Sequence, residues 1–316
     1  MYKHFSVKSY INRHKVALVG LIVGSFALVI AQAISGSGEY NFEQSAGSLI
    51  KEQSTAIEIE DSRGSQLIIP KGVAGDEVLP LLINLHGYTG TGASQSLYTL
   101  LEQAAIEAGM AYIAPTGIKD NSGSTFWNAD SACCNFNRKD VDDVDFIDSL
   151  ITKSLKLANI DANRVYLFGH SNGAFMGYAY LCSGKRNVAA VAGIAGAMNL
   201  DPKLCNSSPS NILHIHGEKD GTILYQGGSL FGTQYTSVQA TLDQWSAINQ
   251  CRQGKDSDMD LLESIEGIDT VKVSFRCEQG GLELWRLPQG EHSPVLDLNF
   301  AHNVIVWLTS FELAQG

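Results

Sequence analysis

Apolar residues along this chain fall into two alternating rhythms. Short, nearly continuous apolar runs recur, and between them apolar residues return every three or four positions. Leu79–Leu85 is such a run, as expected of a strand buried on both faces. Ala111–Ala114, Arg164–Phe168, Val188–Ile194, Ile212–Ile215, Val271–Phe275 and Leu282–Arg286 read as further strands. Ser94–Ala108 carries Leu97, Leu100, Leu101, Ala104, Ala105 and Ala108 at helical spacing, with Gly109 as a stop. Helical spacing also covers Asp142–Leu157, Asn172–Cys182, Ser237–Ile248 and Phe300–Phe311. Ahead of these, Ala56–Glu60 and Gln66–Ile69 flank the polar stretch Asp61-Ser62-Arg63-Gly64-Ser65 and predict an antiparallel hairpin. Strands alternating with helices predict an α/β domain, with a mostly parallel central sheet, helices on both faces and right-handed connections.

The N-terminus follows neither rhythm. Lys3, Lys8, Arg13 and Lys15 precede an uncharged run from Val16 to Ile34, which contains Ala31-Gln32-Ala33. A basic segment, an apolar run and an A-x-A site are the build of a secretory signal. The run is also long enough to approach a bilayer's thickness, so an uncleaved anchor over residues 16–34, basic side cytoplasmic, is the alternative. Either reading places the rest of the chain outside the cytoplasm, secreted, periplasmic or tethered. Residues 1–34 are thus signal or anchor, the Gly-, Ser- and Glu-containing residues 35–54 a linker, and residues 55–316 one α/β domain. Six cysteines with no CxxC pair agree with an oxidising compartment and up to three disulfides. Cys251 and Cys277 flank one polar excursion and are the favoured pair; the pairing of the other four stays open. A hydrophobic content of 44% excludes a disordered chain. A net charge of −11 argues against nucleic acid, and against lipid surfaces except through the N-terminal segment.

Candidate chemistry centres on Gly169-His170-Ser171-Asn172-Gly173, set between a predicted strand and a predicted helix. Gly-x-Ser-x-Gly in that setting is a nucleophile elbow. The turn is tight, the strand and helix approach too closely for side chains at the glycines, and the serine hydroxyl is lifted clear of the sheet. A serine hydroxyl is a weak nucleophile and needs a base held by an acid. In folds of this kind these follow in the order acid, then histidine. Asp220, in the loop after the strand ending at His216-Gly217, is the candidate acid, with Glu218 as the fallback. His292, in a Gly- and Pro-containing loop after Leu282–Arg286, is the candidate base. His302 reads as a packed helical histidine, and His170, His214 and His216 as structural residues around the site. The backbone N–H of Asn172 and that of Tyr88, in "LHGYTG", are the candidate oxyanion donors, and His86 reads mainly as a brace for that loop. Trp127 and His86 are candidate substrate contacts. The acidic run Asp140, Asp142, Asp143, Asp145 and Asp148 lacks the glycine and glutamate of a calcium loop, so Asp142 or Asp143 reads as a helix N-cap. No histidine pair has metal spacing on a helix, and the chemistry calls for no cofactor or metal.

Taken in order, "LHGYTG", "VDDVDFI", "NRVYLFGHSNGAFMGY", "ILHIHGEKDGTILYQGG" and "GEHSP" resemble the secreted polyhydroxybutyrate depolymerase-like and feruloyl esterase-like branch of the α/β-hydrolases. The resemblance spans roughly residues 75–310. It implies an α/β-hydrolase fold, a Ser171–His292–Asp220 triad working through an acyl-enzyme, and oxyanion donors at Tyr88 and Asn172. Most directly it implies an extracytoplasmic serine esterase of the polyhydroxybutyrate depolymerase kind; the alternative is a feruloyl or acetylxylan esterase acting on plant polysaccharide. A non-catalytic binding protein of the same fold is the reading of another class, and the occupied triad positions count against it. Leu224 stands where the family often has proline, and Ser293 follows His292 where it often has tryptophan, which implies a more open pocket beside His292.

Overall fold

A computed structural model describes residues 52–73, 76–199, 205–252, 256–259 and 270–314, all within one compact unit, Gly47–Gly316. The expected signal or anchor and nearly all of the expected linker lie outside the described residues.

In chain order the elements are β1 Ser54–Glu58, β2 Gln66–Pro70, β3 Leu79–Leu85, α1 Gly92–Thr99, α2 Leu101–Glu107, β4 Ala111–Ile113, β5 Ile118–Lys119 and β6 Thr125–Phe126. There follow α3 Asp143–Leu157, β7 Ile160–His170, α4 Asn172–Ser183, β8 Ala190–Ile194, β9 Asn211–Gly217, β10 Gly228–Leu230, β11 Thr233–Tyr235 and α5 Val238–Asn249. The chain ends with β12 Cys251–Arg252, β13 Asp256–Met259, β14 Thr270–Ser274, β15 Arg276–Cys277, β16 Gly281–Leu287 and α6 Leu298–Thr309. The main sheet runs β1-β2-β4-β3-β7-β8-β9-β16-β14-β13. Its centre, from β4 to β16, is parallel throughout, and both margins are antiparallel. All the central strands therefore end on one edge of the sheet.

Period-two alternation explains why the central strands read as unbroken apolar runs. Leu81, Ile83, Leu85, Val165 and Leu167 pack on one face, against Ile147, Met176, Leu242 and Trp245 of α3, α4 and α5. Leu82, Tyr166 and Phe168 pack on the other, against Leu101 and Ala104 of α2 and Phe300, Val304 and Leu308 of α6. Both faces are covered, so neither alternates with polar residues. Helix starts follow local chemistry. Thr91, Asp142, Ser237 and Asp297 each accept from the N–H three residues on. Asp142 is thus the N-cap of α3, whereas Asp143 is buried and bonded to Arg63 Nη2 at 2.6 Å.

The structure departs from the sequence reading in several places. The helix expected over Ser94–Ala108 breaks at Leu100, which adopts φ 55° and ψ 13°. Thr99 Oγ1 accepts from Asn84 and donates to the Gln95 carbonyl, and the break turns Leu101 fully inward while Leu97 stays exposed. β7 is longer than the apolar run, because its polar first half pairs only at Ile160. The short hairpins β5/β6 and β10/β11 and the pair β12/β15 have no apolar period and escaped the reading. His302 is exposed and pairs with Glu107 at 2.8 Å; it is not a packed histidine.

The favoured pair Cys251–Cys277 is a disulfide and faces itself across β12/β15. The other four cysteines pair as Cys182–Cys205 and as the neighbours Cys133–Cys134. No helix among the described residues is long and apolar enough to cross a membrane.

Candidate active site

Ser171 follows β7 directly, at the sheet edge where the parallel strands end. Its backbone sits at φ 53° and ψ −118°, a region that non-glycine residues rarely occupy, and its N–H donates to Ile194 O at 2.8 Å. The flanking glycines are required by contact. A Cβ on Gly169 would lie 2.2 Å from Gly173 O, and one on Gly173 would lie 2.1 Å from Leu85 O. The helix thus lies directly against two strand ends and starts where the serine side chain emerges.

Asp220 and His292 arrive on neighbouring strands. β9 and β16 pair in parallel with Gly217 opposite Leu287, so their loops leave side by side. Lys219 N donates to Gly290 O at 3.0 Å, and a Cβ on Gly217 would lie 2.1 Å from that same oxygen. The loops bring His292 Nε2 to 3.0 Å from Ser171 Oγ and His292 Nδ1 to 2.8 Å from Asp220 Oδ2. A carboxylate only accepts, so Nδ1 carries the proton and Nε2 presents its lone pair to the hydroxyl. Asp220 is buried, and its Oδ1 accepts from Thr222 N and Ile223 N, each at 2.8 Å. Burial alone would raise this carboxyl; hydrogen bonds from His216 and His292 more than reverse that and hold it well below the usual carboxylate range. Glu218 is elsewhere, paired at the surface with Arg286 at 2.8 Å.

The loop after β3 closes the other side. The Cβ position of Gly87 is 3.3 Å from Ser171 Cβ, which sets the Gly87 backbone, next to Tyr88 in the chain, against the serine side chain. Asn172 is the first residue of α4, where an N–H has no intrahelical partner. Its side chain is committed to Trp127, accepting from the backbone N at 2.7 Å and donating to the carbonyl at 3.0 Å. Tyr88 is steadied through its hydroxyl, which donates to Asp120 Oδ2 at 2.6 Å.

Two expected substrate contacts are corrected. Trp127 and His86 are both fully buried and present no surface to a substrate. His86 Nε2 accepts from Gly117 N at 2.8 Å, which leaves Nδ1–H for Gly87 O at 2.7 Å, and Trp127 Nε1 donates to His86 O at 3.0 Å. Both residues stiffen the loop that carries Tyr88.

Three other histidines frame the site. His170 Nε2–H donates to the His292 carbonyl at 3.1 Å. His216 Nε2–H donates to Ile223 O at 2.8 Å and lies 3.4 Å from Asp220 Oδ2. Behind it His214 joins His216 Nδ1 at 3.2 Å and the Tyr178 hydroxyl at 2.7 Å. The His-x-His spacing of 214 and 216 was the signal for this chain, since it puts both rings on one face of β9.

These buried rings predict acid lability. Burial pushes His86 down to about 4; burial and then the neighbouring His292 push His170 to about 3; burial holds His214 well below its ordinary value. An unfolded histidine titrates near 6.5, so below that pH the unfolded chain takes up protons that the folded one refuses. The stabilisation is complete above pH ~6.5 and is lost by roughly 1.4 kcal/mol per pH unit for each ring as pH falls toward the folded values. The urea midpoint is expected to stay level from pH 8 to 7 and to drop steeply between about pH 6 and 4.5. A level midpoint down to pH 5 would contradict neutral burial of these rings.

The sheet order, the elbow and the loop-borne trio define an α/β-hydrolase. Residues 72–251, more than half the chain, match the phospholipase/carboxylesterase family, and the chain belongs to that family. Among curated relatives, it is 26% identical to feruloyl esterase B of Piromyces equi over 226 residues, 67% of this chain and 41% of that protein. It is 28% identical to the bifunctional acetylxylan esterase/xylanase XynS20E of Neocallimastix patriciarum over 151 residues, 46% of this chain and 20% of that one. The chain thus spans less than half the length of these relatives. In fold it is similar to an acetyl xylan esterase from Aspergillus awamori, at a TM-score of 0.58 and 14% identity, over 81% of this chain and 99% of that one. It is also similar to a thermostable esterase, at a TM-score of 0.56 and 17% identity, over 84% of this chain and 64% of that one.

Proposed function

We propose that this chain is an extracytoplasmic serine esterase whose substrates are acyl esters on plant polysaccharide. The observation that carries the chemistry is the pair of contacts made by one imidazole, 3.0 Å to Ser171 Oγ and 2.8 Å to Asp220 Oδ2. Ser171 Oγ attacks the ester carbonyl carbon while its proton passes to His292 Nε2. The carbonyl oxygen takes the negative charge between the N–H groups of Tyr88 and Asn172, each such donor being worth about 3–4 kcal/mol in comparable sites. Collapse breaks the carbon–oxygen bond to the leaving alcohol, which takes the proton from His292. Water, deprotonated by the same nitrogen, then attacks the acyl carbon; the bond to Ser171 Oγ breaks, Oγ takes the proton back from His292, and the acid leaves. Asp220 holds the imidazole tautomer and balances its charge.

The polysaccharide reading, ahead of polyhydroxybutyrate, is supported by relatives that are a feruloyl esterase and an acetylxylan esterase/xylanase. The three disulfides fit an oxidising compartment, in keeping with residues 1–34 as signal or anchor, 35–54 as linker and the remainder as the catalytic domain. A fluorophosphonate probe is expected to modify Ser171 and to abolish p-nitrophenyl acetate hydrolysis. Methyl ferulate, acetylxylan and 3-hydroxybutyrate oligomers then rank the substrates. Preference for the hydroxybutyrate oligomers would overturn the polysaccharide assignment, and no labelling would overturn the esterase.

A further inference from the structure

Beside the loop that carries Tyr88 lies an open pocket of about 610 Å³ to which no role has been assigned. Its apolar wall is an aromatic pair, with the rings of Phe136 and Phe231 4.4 Å apart, and Phe136 also meets the Tyr88 ring edge-on at 5.5 Å. Phe136 therefore joins the pocket to the active-site loop. Arg138 and Lys139 are the cations of its polar wall, beside Asn128, Ser131, Asn135 and Thr233, and Lys139 Nζ donates to the Lys119 carbonyl at 2.6 Å. Neither has an ion pair among the described residues, in a chain whose net charge is −11. The carboxylate in the lining, Asp130, is turned into its own loop, where Oδ1 accepts from Ala132 and Cys133 N–H.

Folding does not account for Phe231. It sits with Gly232 in the two-residue turn between β10 and β11, at φ 46° and 88° respectively, a turn that favours asparagine, aspartate or glycine. A bulky aromatic at positive φ is strained, and this one is 84% exposed. Arg138 also has positive φ, at 50°. Two uncommon backbone conformations thus hold an exposed ring, packed only on Phe136 among the rings described, and a cation with no ion pair among the described residues on one pocket.

We infer that this pocket binds a uronate-bearing segment of an acidic polysaccharide. The Phe136 and Phe231 faces, negative in their quadrupole, take the C–H face of a sugar ring, and the planar guanidinium of Arg138 takes the uronate carboxylate, with Lys139 adding charge. An acidic peptide would use the cations but leave the aromatic faces idle. That the bound segment feeds an ester to Ser171 rests on the proposed esterase function; the binding itself does not.

The test is calorimetric binding to Ser171→Ala protein, so that nothing is cleaved. The probes are xylotetraose carrying one glucuronic acid branch, unbranched xylotetraose, and tetraglutamate. The acidic oligosaccharide is expected to bind at least about tenfold more tightly than the neutral one, and more weakly as salt is raised. Arg138→Gln is expected to erase that preference, Lys139→Gln to reduce it, and Phe231→Ala to weaken both sugars about tenfold, with melting temperatures checked for each protein. Equal binding of the two sugars, no binding of the acidic one, or tetraglutamate binding equally well would overturn the inference. Failure of the wild-type protein to hydrolyse p-nitrophenyl acetate would instead count against the esterase and leave this result standing.

Discussion

Ser171→Ala is expected to lower kcat for p-nitrophenyl acetate by roughly 10⁴- to 10⁶-fold, with little change in KM. The size follows from the geometry. Among the described residues the hydroxyl is the one nucleophilic group at hydrogen-bond distance from His292 Nε2, and alanine leaves that nitrogen only water to activate. The two candidate oxyanion donors belong to the backbone and survive the substitution, so a residual rate above water is expected. His292→Ala added to Ser171→Ala should cost almost nothing more, because the two act as a unit. The fold should persist, since alanine is smaller than serine and the strained backbone at this position is set by the elbow itself. The check is kcat alongside the melting temperature, and a loss below tenfold with an unchanged melting point would remove Ser171 from the mechanism.

Asp220→Asn is expected to lower kcat by about 10⁴-fold. The reason lies in how many donors converge on one carboxylate. Thr222 N and Ile223 N occupy Oδ1, while His292 Nδ1, with His216 Nε2 at 3.4 Å, crowds Oδ2. An amide offers one accepting oxygen and two donating hydrogens. If its oxygen stays with the backbone donors, its nitrogen confronts His292 Nδ1 with a second donor. The imidazole then favours the tautomer protonated at Nε2, which cannot take the serine proton. A depressed carboxyl also stabilises the fold above its unfolded pKa, near 3.9, and that contribution fades as pH falls toward the folded value. The variant should therefore lose stability near neutral pH and lose less than the wild type on further acidification. Glu218→Gln is the comparison: its carboxylate pairs with Arg286 at the surface, and kcat should stay within about twofold. A Glu218 variant as damaged as the Asp220 variant would reverse the assignment of the acid.

Much of this architecture was readable before any coordinates because its determinants are local. Leu79–Leu85 was legible to the residue, since a strand covered on both faces must be apolar throughout. The starts of α3 and α5 were legible because Asp142 and Ser237 cap them within one turn. The elbow was legible because the close approach of backbones around Ser171 leaves room only for glycine at 169 and 173. Ser94–Ala108 was misread because the break at Leu100 answers to Asn84 and Tyr112, distant in sequence and buried beneath the helix. Trp127 was misread as a substrate contact because nothing in its neighbourhood announces that Asn172 clamps its backbone from 45 residues away.

By itself the sequence determined the alternation of strand and helix and the turn that holds Ser171, because each depends on neighbours within a turn or two of chain, and it pointed to Asp220 and His292 as candidate acid and base from the loops they occupy. Only the tertiary structure decided the rest. It brought His292 to 3.0 Å from the Ser171 hydroxyl and 2.8 Å from Asp220, set Glu218 at the surface with Arg286, buried Trp127 and His86, and gathered Phe136, Arg138 and Phe231 around one pocket. The physical reason is the parallel sheet: it brings strand ends that are far apart in the chain to a common edge, and register and loop contacts between neighbours then settle which side chains meet.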